Sequence, residues 1–198
     1  VYRWANDAAA PTVAYDAAPG LPRLGDSFAL TGTGAATRLA VSGTGTSGIL
    51  VVDPTTGTGT AVAVPGTAAG DFRLGMTWVD QDTVIGAQGG TTPFRVVDIS
   101  GSTGTLVASP KGTTQSERLI GYKVIAGVPL LAAVDTVTSA VRIYDASNPD
   151  SLNLLETVNN TSGTLAANGN GVGSVVWGPT FGDSAFLYAM SANQGIQA

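Results

Sequence analysis

Residues 49–53 read ILVVD, and the same short segment returns as FRVVD at 94–98, VRIYD at 141–145 and YRWAN at 2–6. Each copy is rich in β-branched or aromatic residues and ends in Asp or Asn, a pattern that predicts a strand followed by an Asx turn. The last residues of successive copies are 47, 45 and 47 positions apart. This regular spacing predicts a protein built from repeats.

Three further segments recur in the same phase. The first reads RLGDSFAL from Arg23, RLGMTWV from Arg73, RLIGYKV from Arg118 and GVGSVVW from Gly171. The second has small residues at its centre (RLAVSG, VIGAQG, LLAAVD, LYAMSA), and the third reads PTVAY, TAVAV, TLVA and LNLLET. Four short strands separated by Gly, Pro, Asn and Asp turns, with a period in the forties, are typical of a β-propeller blade, whose strands we letter A to D from the axis outwards.

The predicted fold is therefore all-β: a β-propeller with four blades of four antiparallel strands. The blades cover approximately residues 17–64, 65–108 and 109–158, and the fourth combines 159–198 with 1–16. In that fourth blade the N-terminal C and D strands are expected to pair with A and B strands at 172–178 and 184–192, which would close the ring without a free sheet edge. Two alternatives remain open, an excerpt of a six- or seven-bladed propeller and an ordinary β-sandwich.

The composition excludes several functional classes. The chain of 198 residues has no Cys and no His, which excludes disulfides, Cys-ligated zinc and catalysis that depends on His. Its net charge is −5 and it has nine Lys and Arg residues, too few for a nucleic-acid footprint. The apolar runs are far shorter than the roughly 20 residues of a membrane helix. We therefore predict no nucleic-acid partner and no membrane insertion.

The motifs that suggest chemistry all have simpler interpretations. GTGTSG at 43–48 matches a dinucleotide-binding pattern, but a strand follows it where the pyrophosphate needs a helix N-terminus, so it predicts a hairpin loop. Asp80 and Asp82 are expected to form a turn, and the spacing of Asp145 and Asp150 lacks the glycine and glutamate of a calcium loop. The sequence therefore predicts no catalytic residue, no metal site and no cofactor.

The candidate ligand-binding residues are arginines at the start of strand A. Arg23, Arg73 and Arg118 would stand around the mouth of the central channel, with Asp71 and Glu117 close by. Either each guanidinium bridges a neighbouring carboxylate or loop carbonyl, or the three form a cationic ring for a carboxylate or phosphate. The strand C arginines, Arg3, Arg95 and Arg142, are expected to be solvated or in cross-strand pairs. Trp4, Trp78 and Trp177 are expected in the core, with sugar stacking as the alternative.

Residues 1–30, 141–158 and 187–198 resemble secreted bacterial β-propeller proteins of uncharacterised function, the YncE-like, surface-sorted propeller repeats. The resemblance covers essentially the whole chain and implies architecture and location, without catalytic residues. We expect a non-enzymatic module outside the cell, which presents polar loops to a glycan, a cell-envelope component or a protein. The alternatives are a polysaccharide lyase or hydrolase and a structural or self-assembling unit; the oligomeric state stays open.

Overall fold

The computed structural model describes residues 1–17, 20–88, 90–159, 173–191 and 195–197. Within these residues the protein is all-β, with seventeen strands and one short 3-10 turn at Gly34–Ala36. None of its described helical segments has the length and apolar character needed to cross a membrane. The strands other than β17 (Gly195–Gln197) lie near the predicted places. All seventeen form three four-stranded sheets, one three-stranded sheet and a two-stranded hairpin.

The strands are grouped by sheet in chain order, and all neighbours are antiparallel. The N-terminal hairpin is β1 (Tyr2–Arg3) and β2 (Thr12–Val13). Sheet I is β3 (Ser27–Thr31), β4 (Arg38–Ser42), β5 (Ile49–Asp53) and β6 (Thr58–Val62). Sheet II is β7 (Gly75–Trp78), β8 (Thr83–Ala87), β9 (Phe94–Asp98) and β10 (Thr105–Ala108). Sheet III is β11 (Glu117–Ile125), β12 (Val128–Asp135), β13 (Ala140–Asp145) and β14 (Asn153–Asn159). Sheet IV is β15 (Gly173–Phe181), β16 (Ser184–Ser191) and β17 (Gly195–Gln197). Sheets I to III have the predicted order of four consecutive strands.

The predicted Asx turns are present at the end of the third strand of each repeat. Asp53 Oδ1 accepts the backbone N–H of Thr55 at 2.7 Å. Asp98 and Asp145 accept the N–H groups of Ser100 and Ser147, both at 2.8 Å, and Asn6 accepts that of Ala8 at 3.0 Å. The turn chemistry read from the sequence therefore ends β5, β9 and β13 as expected, whereas β1 ends at Arg3, before the turn at Asn6.

The core lies between consecutive sheets. Sheet I packs Ala29 and Ile49 on Met76 and Trp78 of sheet II. Sheet II packs its other face, including Phe94, on Ile120 and Leu131 of sheet III, and sheet III packs Ala132 on Val175 and Ala189 of sheet IV. The strands of the two inner sheets alternate their side chains between two such interfaces, because successive residues of a strand point to opposite faces.

The first strands of the sheets also interlock. Trp78 Nε1 on β7 donates to the carbonyl of Ala29 on β3 at 2.9 Å, and Trp177 Nε1 on β15 donates to that of Gly121 on β11 at 3.0 Å. Both tryptophans thus join one sheet to the preceding one, in keeping with the structural role expected of them. The prediction of a core position is wrong for Trp4, which is 55% exposed on the N-terminal hairpin segment. Gly121 permits the close approach, since a Cβ there would lie 2.9 Å from the carbonyl oxygen of Val175.

The predicted closure of the ring is wrong in its strand pairing. Tyr2 pairs with Val13 inside the N-terminal hairpin, whereas Met190 pairs with Ser174 and Ile196. The tail turns back as β17 and occupies the edge of β16 that the head was expected to take. In the described residues β3 packs on β7, β7 on β11 and β11 on β15, but β3 and β15 do not pack on each other in the same way.

The N-terminal hairpin lies instead beside sheet I. Arg3 Nη1 donates to the carbonyl of Pro54 at 3.3 Å, directly after β5. Tyr15, which follows β2, packs with Leu39, Leu50 and Val52 of the sheet. The hairpin and the segment after it therefore cover the outer strands on the face of sheet I that points away from sheet II.

Candidate functional site

The candidate site lies at the end of the sheets where the first strands begin, the end that also carries the loops between sheets. Arg23, Arg73 and Arg118 each stand at or just before a first strand, as the repeat predicts. Leu119, which follows Arg118, donates its N–H to the carbonyl of Leu74, which follows Arg73, at 2.9 Å. The backbone therefore fixes two of the three arginines side by side.

Arg73 and Arg118 form the cationic part of the site. Both side chains are half-buried, and burial together with the positive charge of Arg73 lowers the pKa of Arg118. The charge of Asp135 acts in the opposite direction on this pKa. The Arg73 guanidinium forms no ion pair with any residue that the structure describes. The pair thus places two neighbouring positive charges at the loop end of sheets II and III.

Arg23 does not join this pair as an equal third member. Its guanidinium lies 3.4 Å from Asp26 Oδ1, and its side chain is 68% exposed. Asp26 Oδ2 also accepts the N–H and the hydroxyl of Thr44, both at 2.6 Å, and these bonds hold the pKa of Asp26 below its usual value. Arg23 therefore fits the alternative in which each guanidinium bridges a neighbouring carboxylate. An ion pair as exposed as this one contributes little stability.

Asp71 and Glu117 were predicted beside the strand A arginines, but they bind the strand C arginines. Arg95 Nε lies 3.0 Å from Asp71 Oδ2, and Arg142 Nη1 lies 3.3 Å from Glu117 Oε1. The side chain of Arg142 is buried and that of Arg95 is 12% exposed, so neither arginine is solvated. Arg142 instead forms the expected kind of cross-strand pair, with Asp135 on the adjacent strand β12. The reason is desolvation: a carboxylate inside the sheet needs a charged partner that is also inside, and the third strand supplies it.

Sheet III contains the largest of these buried polar groups, which we call the Arg142 cluster: Thr114, Glu117, Asp135, Arg142 and Tyr144. Arg142 Nη1 also lies 2.7 Å from Asp135 Oδ2, so one guanidinium bridges two carboxylates that are fully buried. Asp135 additionally accepts the hydroxyl of Thr114 at 2.9 Å. The Tyr144 hydroxyl donates to Glu117 Oε1. The cluster ties the loop before β11 to β12 and β13.

The two carboxyl groups of this cluster have opposite pKa shifts. Burial raises the pKa of Glu117 above its usual value and outweighs the hydrogen bond from Tyr144 and the charge of Arg142. Burial acts in the same direction on Asp135, but hydrogen bonds from Arg142, Thr138 and Val137 outweigh it and hold the pKa of Asp135 well below its usual range. The pKa of Tyr144 is raised to about 12 by burial and by its bond to Glu117.

A cavity of about 840 Å³ lies between the first strands of all four sheets. Its lining includes the apolar side chains of Phe28, Leu30 and Val176, and Lys123, whose ammonium donates to the carbonyl of Gly178 at 2.6 Å. Arg23, Arg73 and Arg118 are not among its described lining residues. The arginines therefore stand at the loop end and not inside this apolar cavity.

The remaining motifs behave as turns. Residues 43–48 join β4 to β5 without a helix. Asp80 Oδ1 accepts the N–H groups of Asp82 and Thr83 at 2.8 and 2.7 Å, which makes it a turn former. Among the described residues no group of three or more acidic side chains is arranged to hold a metal ion.

The Arg142 cluster was missed by sequence reasoning, although the repeat contained a signal for it. Arg95 and Arg142 occupy the same position in FRVVD and VRIYD, and Asp71 and Glu117 stand just before the recurring Arg-Leu pairs at Arg73 and Arg118. If the acid before strand A had been paired with the arginine of strand C in the same repeat, the sequence would have predicted the correct ion pairs, Asp71 with Arg95 and Glu117 with Arg142.

Comparisons of the sequence with protein families and with curated proteins found no match. Solved structures share the fold. A DUF4623 family protein from Bacteroides eggerthii has a TM-score of 0.63 and 13% identity, over 98% of this chain and 51% of that chain. The allergen Mala s 1 of Malassezia sympodialis has a TM-score of 0.51 and 17% identity, over 80% of this chain and 48% of that chain.

At these identities the likeness shows the fold alone. The chain spans about half the length of these two proteins. The likeness to the DUF4623 protein supports the coarser part of the predicted resemblance, an all-β fold that a bacterial protein shares. The assignment to YncE-like secreted propellers stays a prediction.

Proposed function

We propose that this chain is part of a β-propeller that acts as a non-enzymatic binding module, and that Arg73 and Arg118 receive an anionic group of an acidic glycan. The observation that carries the proposal is the adjacency of two half-buried arginines, of which Arg73 has no ion-pair partner among the described residues. A carboxylate between them would relieve their mutual repulsion and accept two forked sets of N–H donors.

The surroundings of Arg73 support an external anion as its partner. The nearest carboxylates in sequence, Asp71 and Glu117, are buried and bound to Arg95 and Arg142. They are therefore held away from Arg73 by partners inside their own sheets. The loops around the pair are rich in Thr, Ser and Gln, including residues 109–117, and suit hydrogen bonding to sugar hydroxyls.

The alternative of a lyase or hydrolase has less support. A glycosidase-type reaction needs two carboxyl groups on either side of a solvated bond. Glu117 and Asp135 are the acids nearest to each other at this end, but both are fully buried and share Arg142. Their geometry suits stabilisation of the sheet better than contact with a polysaccharide. Placement outside the cell stays a prediction, consistent with a glycan ligand.

The test is a glycan array that carries uronic-acid oligosaccharides beside neutral ones. We expect the protein to bind uronic-acid glycans, and Arg73→Ala to reduce that binding about tenfold, the loss expected for a charged hydrogen bond worth roughly 1.5 kcal/mol. Raising the salt concentration should weaken binding, because the pair is only half-buried.

Arg38→Ala is the matched control. Arg38 begins β4 at the opposite end of sheet I and pairs with Asp82 at 3.0 Å. Its loss should leave glycan binding unchanged. Equal binding by the protein and by Arg73→Ala, or a preference for neutral glycans in both, would refute the anion site.

A further inference from the structure

The recurring third-strand segment departs from its own pattern at one position in sheet III. Its fourth residue is Val52 in sheet I and Val97 in sheet II, both fully buried, and Ala5 in the N-terminal copy. In sheet III the same residue is Tyr144, which is 2% exposed. A buried tyrosine carries a hydroxyl that needs a hydrogen-bond partner, whereas valine and alanine carry none. Tyr144 therefore adds polar contacts that the other three copies cannot make at this position.

The hydroxyl of Tyr144 joins the loop before β11 to the start of that strand. It accepts the backbone N–H of Thr113 at 2.9 Å and lies 2.9 Å from the Thr113 hydroxyl. It also donates to Glu117 Oε1. The ring itself is held by an edge-to-face contact with Phe94, with ring centroids 6.3 Å apart. One fixed side chain thus holds the chain at two points just before Arg118.

The segment 112–118 has further contacts that hold it against its surroundings. Gly112 lies so close to Glu117 that a Cβ at this glycine would overlap with Oε2. The carbonyl of Ser116 accepts the N–H of Thr136, which follows β12, at 3.1 Å. The segment therefore follows sheet III closely from Gly112 to the start of β11.

The backbone bulges directly after Arg118. Leu119 is the extra residue of a β-bulge between Arg118 and Ile120, and its φ is +50°. A bulge changes the direction of the side chains beside it, and a left-handed leucine persists only where the surrounding structure holds it. The direction of the Arg118 side chain therefore depends on how firmly the chain is held on both sides of the bulge. Tyr144 supplies contacts on the N-terminal side.

We infer that Tyr144 is a positioning residue: its hydroxyl holds the segment 112–118 in the arrangement that places Arg118 beside Arg73. The inference rests on the proposed function and deepens it, because it assigns the anion site a residue that does not touch the ligand. A segment that is ordered in advance loses less conformational entropy when a ligand binds. The hydroxyl of Tyr144 thus contributes to affinity by ordering the segment before the anion arrives.

The first measurement is amide hydrogen exchange in Tyr144→Phe, which removes the hydroxyl and keeps the ring. We expect exchange in the segment 112–118 to become about fivefold faster, the effect of one lost hydrogen bond, while exchange in β12 and β13 stays unchanged. Equal exchange of the segment in both proteins would overturn the inference. A uniform increase throughout sheet III would also overturn it, because that result indicates a general loss of stability.

Tyr122→Phe is the matched control. Tyr122 is a half-buried tyrosine on β11 of the same sheet, and burial together with the charge of Asp80, in the turn after β7, raises its pKa. Its hydroxyl therefore lies near a different part of the molecule from Thr113. Removal of this hydroxyl should leave exchange in the segment 112–118 unchanged.

The second measurement is the affinity for a uronic-acid oligosaccharide. Tyr144→Phe should weaken binding about fivefold, and Tyr122→Phe should not change it. Because Tyr144 acts through Arg118, Tyr144→Phe should have no further effect in a protein that already carries Arg118→Ala. Independent effects would multiply in the double variant, and that result would show that Tyr144 does not act through Arg118.

Gly112→Ala disturbs the same segment by a second route, since its Cβ displaces Glu117. It should reproduce the faster exchange and the weaker binding of Tyr144→Phe. If the wild-type protein binds no uronic-acid glycan, the proposed function fails, and the exchange of the segment 112–118 alone supports or overturns the inference. If the wild-type protein and Tyr144→Phe bind equally well, the proposed function stands and the inference is wrong.

Discussion

Sheets I and III share their strand order, but they fill corresponding positions with different chemistry. The second residue of the recurring third-strand segment is Leu50 in sheet I and Arg142 in sheet III. Leu50 packs with Leu39 and Val52, and Arg142 bridges Glu117 and Asp135. The comparison shows that the sheet itself does not require a charge at this position. The arginine is needed because of the two carboxylates, Glu117 and Asp135, that the first and second strands of sheet III bury.

The first strands of sheets I and III also differ, in the space that they leave for a side chain. Ala29 of sheet I and Gly121 of sheet III both accept a tryptophan N–H from the next sheet. An alanine fits in sheet I, whereas the backbone of sheet IV approaches Gly121 so closely that a Cβ would lie 2.9 Å from a carbonyl oxygen. Sheet III is therefore the more tightly constrained sheet at both positions, and substitutions there should be more damaging than their counterparts in sheet I.

The largest effect is expected for Arg142→Met. This change leaves Glu117 and Asp135 buried without their cation, and breaking a buried pair in this way costs about 3–5 kcal/mol in the free energy of unfolding. The matched change in sheet I, Leu50→Met, keeps the side-chain volume and should cost less than about 1.5 kcal/mol. Urea unfolding of both variants measures the difference. Equal losses would show that the Arg142 cluster contributes no more than ordinary packing.

The strands and turns of sheets I to III could be predicted from the sequence because their signals are local. Runs rich in β-branched or aromatic residues with a terminal Asp specify a strand and its Asx turn without reference to the rest of the chain, as at Asp53 and Asp98. The ion pairs could not be predicted in this way. Glu117 is adjacent to Arg118 in sequence, but its partner is Arg142 on the third strand, and only burial decides between them.

The pairing of the N-terminal strand failed for a related physical reason. The segment Gly195–Gln197 has no strand pattern of its own, yet it turns back on β16 and takes the hydrogen-bonding edge. A short segment that is close in sequence reaches such an edge with less loss of chain entropy than a distant one. Arg73 and Arg118 lie beside each other because the repeat places equivalent residues of adjacent sheets together.

A second, smaller effect is expected within the Arg142 cluster when its two acids are compared. Asp135→Asn removes a charged hydrogen bond to Arg142 and should cost about 1.5–3 kcal/mol at neutral pH. Glu117→Gln should cost less, because burial already raises the pKa of Glu117 and disfavours its charged form. Free energies of unfolding measured at pH 7 test whether Asp135→Asn loses more stability than Glu117→Gln. A greater loss for Glu117→Gln would contradict it.

The pH dependence of stability separates the same two acids. The pKa of Asp135 is lowered in the folded state, so its stabilisation is present above its unfolded pKa of about 3.9 and is lost as the pH falls further. Glu117 has the opposite sign, since its raised pKa makes the folded state bind a proton first and gain stability as the pH falls toward about 4.3. In Asp135→Asn the free energy of unfolding should therefore fall less steeply below about pH 4. In Glu117→Gln the rise in the free energy of unfolding, which accompanies a fall in pH toward about 4.3, should be absent.

The smallest effect is expected for Gly121→Ala, which makes sheet III resemble sheet I at the position of Ala29. The added Cβ would lie 2.9 Å from Val175 O, and relieving this contact requires β11 and β15 to separate by a few tenths of an ångström. We expect a loss of about 1 kcal/mol, at the lower end of the range for overpacking. Gly101→Ala is the control, because the nearest atom to a Cβ there is at an ordinary 3.4 Å. That variant should be neutral or slightly stabilising, since alanine reduces the entropy of the unfolded chain. If Gly121→Ala were stabilising as well, sheets III and IV would adjust freely, and the glycine would not be what sets the close packing of their first strands.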